Sequence, residues 1–204
     1  QFGNLTRKTH SNTSWDVARF ESCGQKWMDL SEGHYGVSLL NDCKYGHSVK
    51  DSNMALTLIK SGIEPNPVTD QEEHEFTYAL YPHAEGWRAA KTVAEAYKLN
   101  QPVIVQTDAA EPENVEGGEY SFASVNKSNV IIETIKQAED GNGIIVRMYE
   151  SENSYTKAEL SVGTDFAKAY VCNLLEEEEQ EAQHAGNKIS VTLKPYEVVT
   201  LKLV

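Results

Sequence analysis

Short runs in which apolar and polar residues alternate, separated by turn-forming residues, constrain this chain more than any other feature of its sequence. Near the C-terminus, Ile189, Val191 and Leu193 alternate with polar residues, which is the two-residue period of a strand with one buried face. Pro195 interrupts the pattern before a second apolar run over Val198 to Val204, so we predict that the chain ends in a hairpin. Faces of this kind are buried by stacking sheets, and the predicted fold class is mainly β.

The same pattern predicts strands elsewhere in the chain. They are expected at Trp15 to Glu21, Tyr35 to Asn41, Met54 to Lys60, Glu73 to Tyr81, Val130 to Lys136 and Ile144 to Tyr149. The last two flank Asp140-Gly141-Asn142-Gly143, whose residues readily adopt the positive φ angles of a tight turn, so they should form an antiparallel hairpin. From Trp87 to Tyr97, apolar residues recur instead at spacings of three and four, which predicts one helix near residues 86–99.

The segment 108–118 divides the chain into two predicted domains. It is acidic, contains glycine and proline, and is almost devoid of large apolar side chains, as is typical of a linker. A chain of 204 residues suits two small domains, because single domains commonly span about 50 to 200 residues. We therefore expect one domain over 1–107 and a small antiparallel β-sandwich over 119–204.

Charge and cysteine content narrow the classes of partner. The formal net charge of −13 repels polyphosphates, so nucleic acid is not expected to bind. The apolar runs are too short for a membrane span of about 20 residues, and no membrane partner is predicted. Cys23, Cys43 and Cys172 lack the paired spacing of a metal or redox motif, which favours reduced, buried thiols and a cytoplasmic location.

Four stretches of sequence carry a resemblance to a known family. They are Arg19 to Gly46, which includes Lys26-Trp27-Met28-Asp29-Leu30-Ser31-Glu32, then His74 to His83, Asn173-Leu174-Leu175-Glu176-Glu177, and Lys194 to Leu203. Together they resemble the C-terminal region of the α-mannosidases of glycoside hydrolase family 38, in the bacterial and cytosolic-type branch. The likeness extends over nearly the whole chain.

The resemblance implies a specific architecture and a supporting role. Residues 1–107 would be the later half of a large β supersandwich that includes the helix, and residues 119–204 a terminal β-sandwich. The parent would be a zinc-dependent, retaining enzyme that hydrolyses terminal α-mannosides, with its catalytic barrel and zinc ligands upstream. This fragment would contact that barrel, complete one wall of the substrate cleft and be inactive alone. Surfaces that the upstream part normally covers would favour self-association of the fragment.

No catalytic or metal-binding residue is predicted within the chain itself. The carboxyl groups that could form a glycosidase pair are Asp29, Glu32, Asp42, Glu73 and Glu75. Their settings are typical of turn chemistry, in which such side chains bind nearby backbone groups. The histidines of the second stretch, residues 74 and 83, are nine positions apart on a predicted strand. Because an odd separation places them on opposite faces, we interpret them as half-buried structural residues rather than as ligands of one ion.

Five residues are candidates for contact with a substrate in the cleft. Asn41, Asp42, Lys44 and Tyr45 place amide, carboxylate, ammonium and phenol groups in one turn at the end of a predicted strand, and such a set can bind sugar hydroxyls. Lys60 is the fifth, because the resemblance implies a basic side chain from a comparable strand. Lysine lacks the bidentate fork of the arginine expected there.

An alternative function is an autonomous carbohydrate-binding module. Trp15, Trp27 and Tyr45 would then be exposed platforms on which sugar rings stack. Large aromatic residues are more often packing residues, so this hypothesis depends on their exposure.

Overall fold

The structure, a computed structural model, describes residues 2–107 and 118–204. The chain forms two compact units, one of residues 6–107 and one in which residues 2–5 join residues 118–204. The predicted first domain, 1–107, thus differs from the observed unit by the short N-terminal segment. Residues 108–117 of the predicted linker lie outside the described residues. Within those residues the fold is mainly β, as predicted.

The unit of residues 6–107 contains two three-stranded antiparallel sheets and two helices. In chain order its elements are α1 (Ser14–Ala18), β1 (Ser22–Cys23), β2 (Trp27–Ser31), β3 (Tyr35–Asn41), β4 (Gly46–Lys50), β5 (Asn53–Thr57), β6 (Tyr78–Ala84) and α2 (Thr92–Asn100). One sheet has the order β1-β4-β5 and the other the order β2-β3-β6. Helix α2 packs on the second sheet.

Helix α1 replaces the strand predicted over Trp15 to Glu21, so that prediction was wrong. Thr13 caps the helix, because its hydroxyl accepts a hydrogen bond from the Asp16 amide at 3.2 Å while the Asp16 carboxylate accepts one from the Thr13 amide at 3.1 Å. This reciprocal capping box satisfies two amides that a helix end otherwise leaves unpaired. Local capping thus outweighed the alternating apolar pattern.

Three other elements are shorter than predicted or displaced. Helix α2 begins at Thr92 after a series of turns, because Lys91 adopts a left-handed conformation with φ +55°. Strand β5 ends at Thr57, and β6 runs over Tyr78–Ala84 rather than Glu73 to Tyr81. The predicted strand at Tyr35–Asn41 is confirmed as β3.

The C-terminal unit is a two-sheet sandwich. Its strands are β7 (Ala123–Val125), β8 (Val130–Gln137), β9 (Ile144–Glu150), β10 (Thr156–Val162), β11 (Ala169–Cys172), β12 (Glu178–Glu181), β13 (His184–Ala185), β14 (Lys188–Leu193) and β15 (Val198–Leu203). A five-stranded sheet with the order β12-β11-β15-β9-β8 faces a four-stranded sheet with the order β13-β14-β10-β7. Buried side chains of both sheets, including Met148, Leu160, Ile189 and Leu201, form one apolar core.

The first predicted hairpin of this sandwich is confirmed, and the second is wrong. Strands β8 and β9 pair antiparallel around the turn at 140–143. Strand β14 instead pairs with β10 and β13, whereas β15 pairs with β9 and β11. The connection through Pro195 therefore crosses from one sheet to the other, which lets the apolar faces of both strands point into the same core.

The cysteines also differ from the prediction in part. All three are free thiols, but Cys23 and Cys43 are exposed and only Cys172 is buried.

Candidate functional site

The turn that follows β3 holds four of the predicted cleft residues, and its first member is fully buried. The Asn41 side chain donates to His47 Nε2 at 3.3 Å and accepts a hydrogen bond from the Lys44 amide at 3.0 Å. The backbone carbonyl of Asn41 accepts a hydrogen bond from Asn100 Nδ2 at 3.0 Å. Both the nitrogen and the oxygen of the Asn41 side-chain amide are therefore hydrogen-bonded within the protein, and they stabilise the turn.

His47 is the buried partner that fixes this arrangement. Its Nδ1 lies 3.0 Å from the Tyr45 carbonyl oxygen and donates to it, so Nε2 is the nitrogen that accepts from Asn41. Removal from water lowers the pKa of His47, which agrees with a neutral ring in this tautomer. The contact joins β4 to the end of β3.

Asp42 ties the same turn to the segment before β6. Its Oδ2 accepts from the Thr77 amide at 2.9 Å, and its own amide donates to the Thr77 carbonyl at 3.2 Å. Oδ1 is a buried oxygen without a hydrogen-bond partner among the described residues. The Cys43 thiol and the Thr77 amide lower the pKa of Asp42, and the carboxylate in turn raises the pKa of Cys43.

The remaining candidates are more accessible. Lys44 Nζ lies over the Phe76 ring, 5.0 Å from its centroid, in a cation–π contact. Tyr45 is 46 % exposed, so its ring is the part of the turn that an external ligand can reach. Lys60 is exposed, lies beyond the end of β5, and has no hydrogen bond or ion pair with any described residue.

A second polar cluster, which the sequence did not predict as a unit, lies between the sheet and α2. Asp29 Oδ2 and His83 Nε2 are 2.7 Å apart, and both side chains are almost completely buried. His83 Nδ1 faces the Glu85 carbonyl at 3.1 Å. Both ring nitrogens therefore face oxygen acceptors, and the His83 ring is held between the Asp29 carboxylate and a backbone carbonyl.

Two hydroxyl groups complete this cluster. Ser38 Oγ donates to Asp29 Oδ2 at 2.8 Å, and it lies 2.8 Å from Thr92 Oγ1. Because the Ser38 hydrogen is used on Asp29, Thr92 is the donor of the second bond. Thr92 is the first residue of α2, so the cluster holds this helix to the sheet.

The cluster contains the residue types of a hydrolase triad in a different geometry. In a triad the carboxylate and the nucleophile bind opposite nitrogens of the imidazole ring. Here Asp29 and Ser38 both lie at His83 Nε2, at 2.7 and 3.2 Å, and Ser38 is fully buried. The arrangement is therefore a buried hydrogen-bond network, in which Ser38 is not placed as a nucleophile.

Sequence reasoning separated the members of this cluster. The sequence presents Asp29 as one of several carboxylates and predicts a half-buried His83 with local contacts. The structure instead buries the histidine and pairs it with Asp29, 54 positions away. One signal was present, because Ser38 is a polar residue inside the apolar strand β3. His74 lies outside any strand and binds the Asp70 carbonyl locally at 2.9 Å.

The described residues offer no metal centre. Across 2–107 and 118–204 there is no group of three or more His, Cys, Asp or Glu side chains that could hold an ion. The other carboxyl candidates are dispersed, since Glu32, Glu73 and Glu75 are all exposed. In the same two ranges, no helix has the length and apolarity needed to cross a membrane.

Comparison with known proteins places this geometry in a family. Residues 1–68 match the C-terminal domain of glycosyl hydrolases family 38, and residues 129–201 match the C-terminal beta sandwich domain of the same family. Alpha-mannosidase 2C1 of Homo sapiens is 39 % identical over 209 residues and aligns with 100 % of this chain. The chain belongs to glycosyl hydrolase family 38 and corresponds to its C-terminal region. Alpha-mannosidase G of Dictyostelium discoideum is 37 % identical and the alpha-mannosidase of Saccharomyces cerevisiae 34 % identical, each again across 100 % of the chain.

Solved structures show the same fold. An alpha-mannosidase from Enterococcus faecalis V583 superposes with a TM-score of 0.77 at 19 % identity, and a family 38 protein from Enterococcus faecalis with 0.74 at 18 %. Both cover 100 % of this chain, which spans 23 % and 24 % of theirs. The present chain likewise spans only about a fifth of the length of its sequence relatives. It covers 19 % of the Dictyostelium discoideum protein and 20 % of the Homo sapiens protein.

Proposed function

We propose that this chain is the C-terminal β portion of a zinc-dependent, retaining α-mannosidase that removes terminal α-mannosyl residues in the cytoplasm. The whole-chain identity with alpha-mannosidases supports the activity of the parent. The chain itself supplies fold support and part of the cleft wall. The catalytic barrel and the zinc ligands lie in the preceding polypeptide.

One observation carries the proposal, namely an apolar face of the β2-β3-β6 sheet that is uncovered along β6 and at the start of β3. Leu39 pairs with Leu80, and Tyr35 with Ala84, so these side chains share one face, on which Leu39 of the central strand is itself buried. Leu80 is 67 % exposed, and Tyr35 and Tyr78 are each more than half exposed. The opposite face, which carries Ser38 and His83, is already covered by α2. Large apolar side chains exposed together on one face of a sheet call for a second layer, and we assign that layer to the preceding polypeptide.

Within the turn after β3, Tyr45 is the residue that we expect to contact the substrate. Asn41 and Asp42 are engaged in holding the turn, whereas the Tyr45 ring is exposed at its tip. In the full-length enzyme, Tyr45→Phe should raise KM with little change in kcat, because it removes one hydrogen bond to bound sugar. Unchanged kinetics would show that the turn only supports the fold.

Catalysis should require the preceding polypeptide. The purified 204-residue chain is expected to release no product from an aryl α-mannoside, while the full-length enzyme hydrolyses it with retention of configuration. Treatment with a chelator should abolish the full-length activity and leave the melting temperature of the chain unchanged. Mannose release by the chain alone would refute the proposal.

The alternative, a carbohydrate-binding module, is favoured by one observation. Trp15 is 75 % exposed on α1, and it could stack on a sugar ring. Trp27 is less suitable, because it packs against Trp87 with ring centroids 5.1 Å apart. Titration of the chain with mannose or short mannosides, followed by tryptophan fluorescence, decides this: no change up to millimolar sugar dismisses the module.

A further inference from the structure

The segment between α2 and residue 108 exposes an apolar run that is unusual for a folded unit. Val103, Ile104 and Val105 are 88 %, 93 % and 79 % exposed. We call residues 102–107 the VIV segment. Single exposed apolar residues are common on protein surfaces, whereas contiguous ones mark interaction sites.

The VIV segment also leaves its backbone unpaired. It has no regular secondary structure, and its backbone forms no hydrogen bond with any residue in the described ranges. Pro102 has no amide hydrogen, but the five residues after it in the segment each offer a donor and an acceptor. A buried backbone needs such partners, so the segment is accessible for pairing as a strand.

The side chains indicate how such a strand would be buried. Consecutive residues of a strand point to opposite faces, so Ile104 faces one side while Val103 and Val105 face the other. Both faces are then β-branched and apolar, as in strands buried on both sides. A strand with one solvent-exposed face would instead alternate apolar with polar residues.

We propose that the VIV segment is a strand that pairs with, and is covered by, the polypeptide preceding this chain in the full-length enzyme. The inference rests on the proposed function and names an element of its interface. The relatives contain about four times as much polypeptide outside the matched region as within it, since this chain spans 19–20 % of them. A second copy could pair with one edge, but it would leave side chains exposed on both faces, and the net charge of −13 opposes its approach.

Amide hydrogen exchange tests the proposal directly. In the isolated chain, the amides of residues 103–106 should exchange without protection, whereas in the full-length enzyme they should be protected at least about hundredfold. Equal, rapid exchange in both proteins would overturn the proposal. Protection that already exists in the isolated chain and rises with its concentration would assign the segment to a second copy, and would also overturn it.

A pair of variants separates backbone pairing from a general loss of apolar surface. Ile104→Pro removes an amide donor and should raise the unfolding rate of the full-length enzyme at least about tenfold, whereas Ile104→Thr keeps the β-branch and the donor and should change it less. Both should leave the isolated chain unaffected. An unchanged unfolding rate for Ile104→Pro in the full-length enzyme would contradict the proposal.

Mannosidase activity, measured on the same preparation, distinguishes a failure of the proposed function from a failure of the proposed strand. An active enzyme with an unprotected VIV segment refutes only the strand. An inactive full-length protein refutes the proposed function, and the exchange data on that material still decide the strand.

Discussion

Glu150 shows how one buried carboxylate can organise several loops of the sandwich. Its Oε1 accepts hydrogen bonds from Asn129 Nδ2 at 2.9 Å and the Glu152 amide at 2.8 Å, and its Oε2 accepts from the amides of Ser154 at 3.0 Å and Tyr196 at 3.1 Å. Burial by itself raises the pKa of Glu150, but these hydrogen bonds outweigh it and lower the pKa below its usual 4.5. The ionised form is therefore the stabilising one.

Replacing this carboxylate should destabilise the C-terminal unit in a pH-dependent way. Glu150→Gln places an NH2 group against amide donors and should reduce the free energy of unfolding by about 3 kcal/mol at pH 7. Since the folded-state pKa is lowered, this contribution is fully present above about pH 4.5 and is lost as the pH falls through the folded-state pKa. Urea denaturation at several pH values measures it. Glu179→Gln, the same change at an exposed residue, is the control, and an equal loss there would contradict the prediction.

Gly36 is the residue that lets the His83 ring lie across β3. A Cβ atom at Gly36 would clash with His83 Cε1, and it would lie 2.6 Å from Ser31 Cβ, which is also closer than van der Waals contact allows. The ring cannot move aside without breaking its buried contact with Asp29. The position is constrained by close approach, not by a positive φ.

Gly36→Ala should therefore destabilise the unit of residues 6–107 by about 2 kcal/mol, through overpacking. Gly33→Ala is a matched control, because nothing lies within 4 Å of a Cβ there. Thermal unfolding followed by near-UV circular dichroism reports the loss. If Gly36→Ala is as stable as Gly33→Ala, His83 is not held as described.

At the scale of elements, residues 2–5 act as a strap on the C-terminal sandwich. Phe2 packs on Tyr149 with ring centroids 4.8 Å apart, and Asn4 donates to the Ser151 carbonyl at 3.2 Å. The Tyr196 hydroxyl donates to Asn4 Oδ1 at 2.7 Å. The strap thus meets the sandwich at the end of β9 and at the connection between β14 and β15.

Asn4→Ala should lower the free energy of unfolding of the sandwich by about 1 to 2 kcal/mol, because two hydrogen bonds are lost. Asn12→Ala, at an exposed position of the other unit, should have no effect. Addition of Tyr196→Phe to Asn4→Ala should cost little more, since the shared contact is already absent. Additive losses from the two changes would show that Asn4 and Tyr196 are not coupled.

The elements also show where sequence patterns suffice. Strand β3 and the β8–β9 hairpin follow from alternation and from turn residues that are local in sequence. The alternating pattern predicts a strand where helix α1 forms, although Thr13 and Asp16 carry a capping signal three residues apart. The crossing of the chain from one sheet to the other between β14 and β15 has no local signal in the sequence. It depends on which distant strands pair with β14 and with β15.

At the scale of the whole molecule, the two units differ in how completely they bury apolar surface. The core cluster lies entirely in the C-terminal unit. In residues 6–107 the buried apolar side chains are Leu39, Leu40, Val93 and Ala96. The isolated chain should therefore self-associate through the first unit, as uncovered apolar faces do.

Substitution of two equally exposed leucines tests the predicted self-association. Leu80→Asp, in the uncovered face, should shift the chain toward monomer in sedimentation velocity, whereas Leu174→Asp should not. The two side chains are 67 % and 68 % exposed, so the comparison holds residue type and exposure constant. A chain that is monomeric across a wide concentration range, or an equal effect of both variants, would contradict the expectation.

The sequence by itself determined the β class, several of the main strands and the family, because these depend on local periodicity and on blocks of contiguous residues. Only the tertiary structure showed that Asp29 and His83, 54 residues apart, form a buried hydrogen-bonded pair. It also showed that the Asn41 side chain is hydrogen-bonded to His47, and that the terminal strands enter different sheets. These features depend on long-range pairing and burial. The physical reason is that a polar side chain reveals its partner only once strands have brought distant positions into contact.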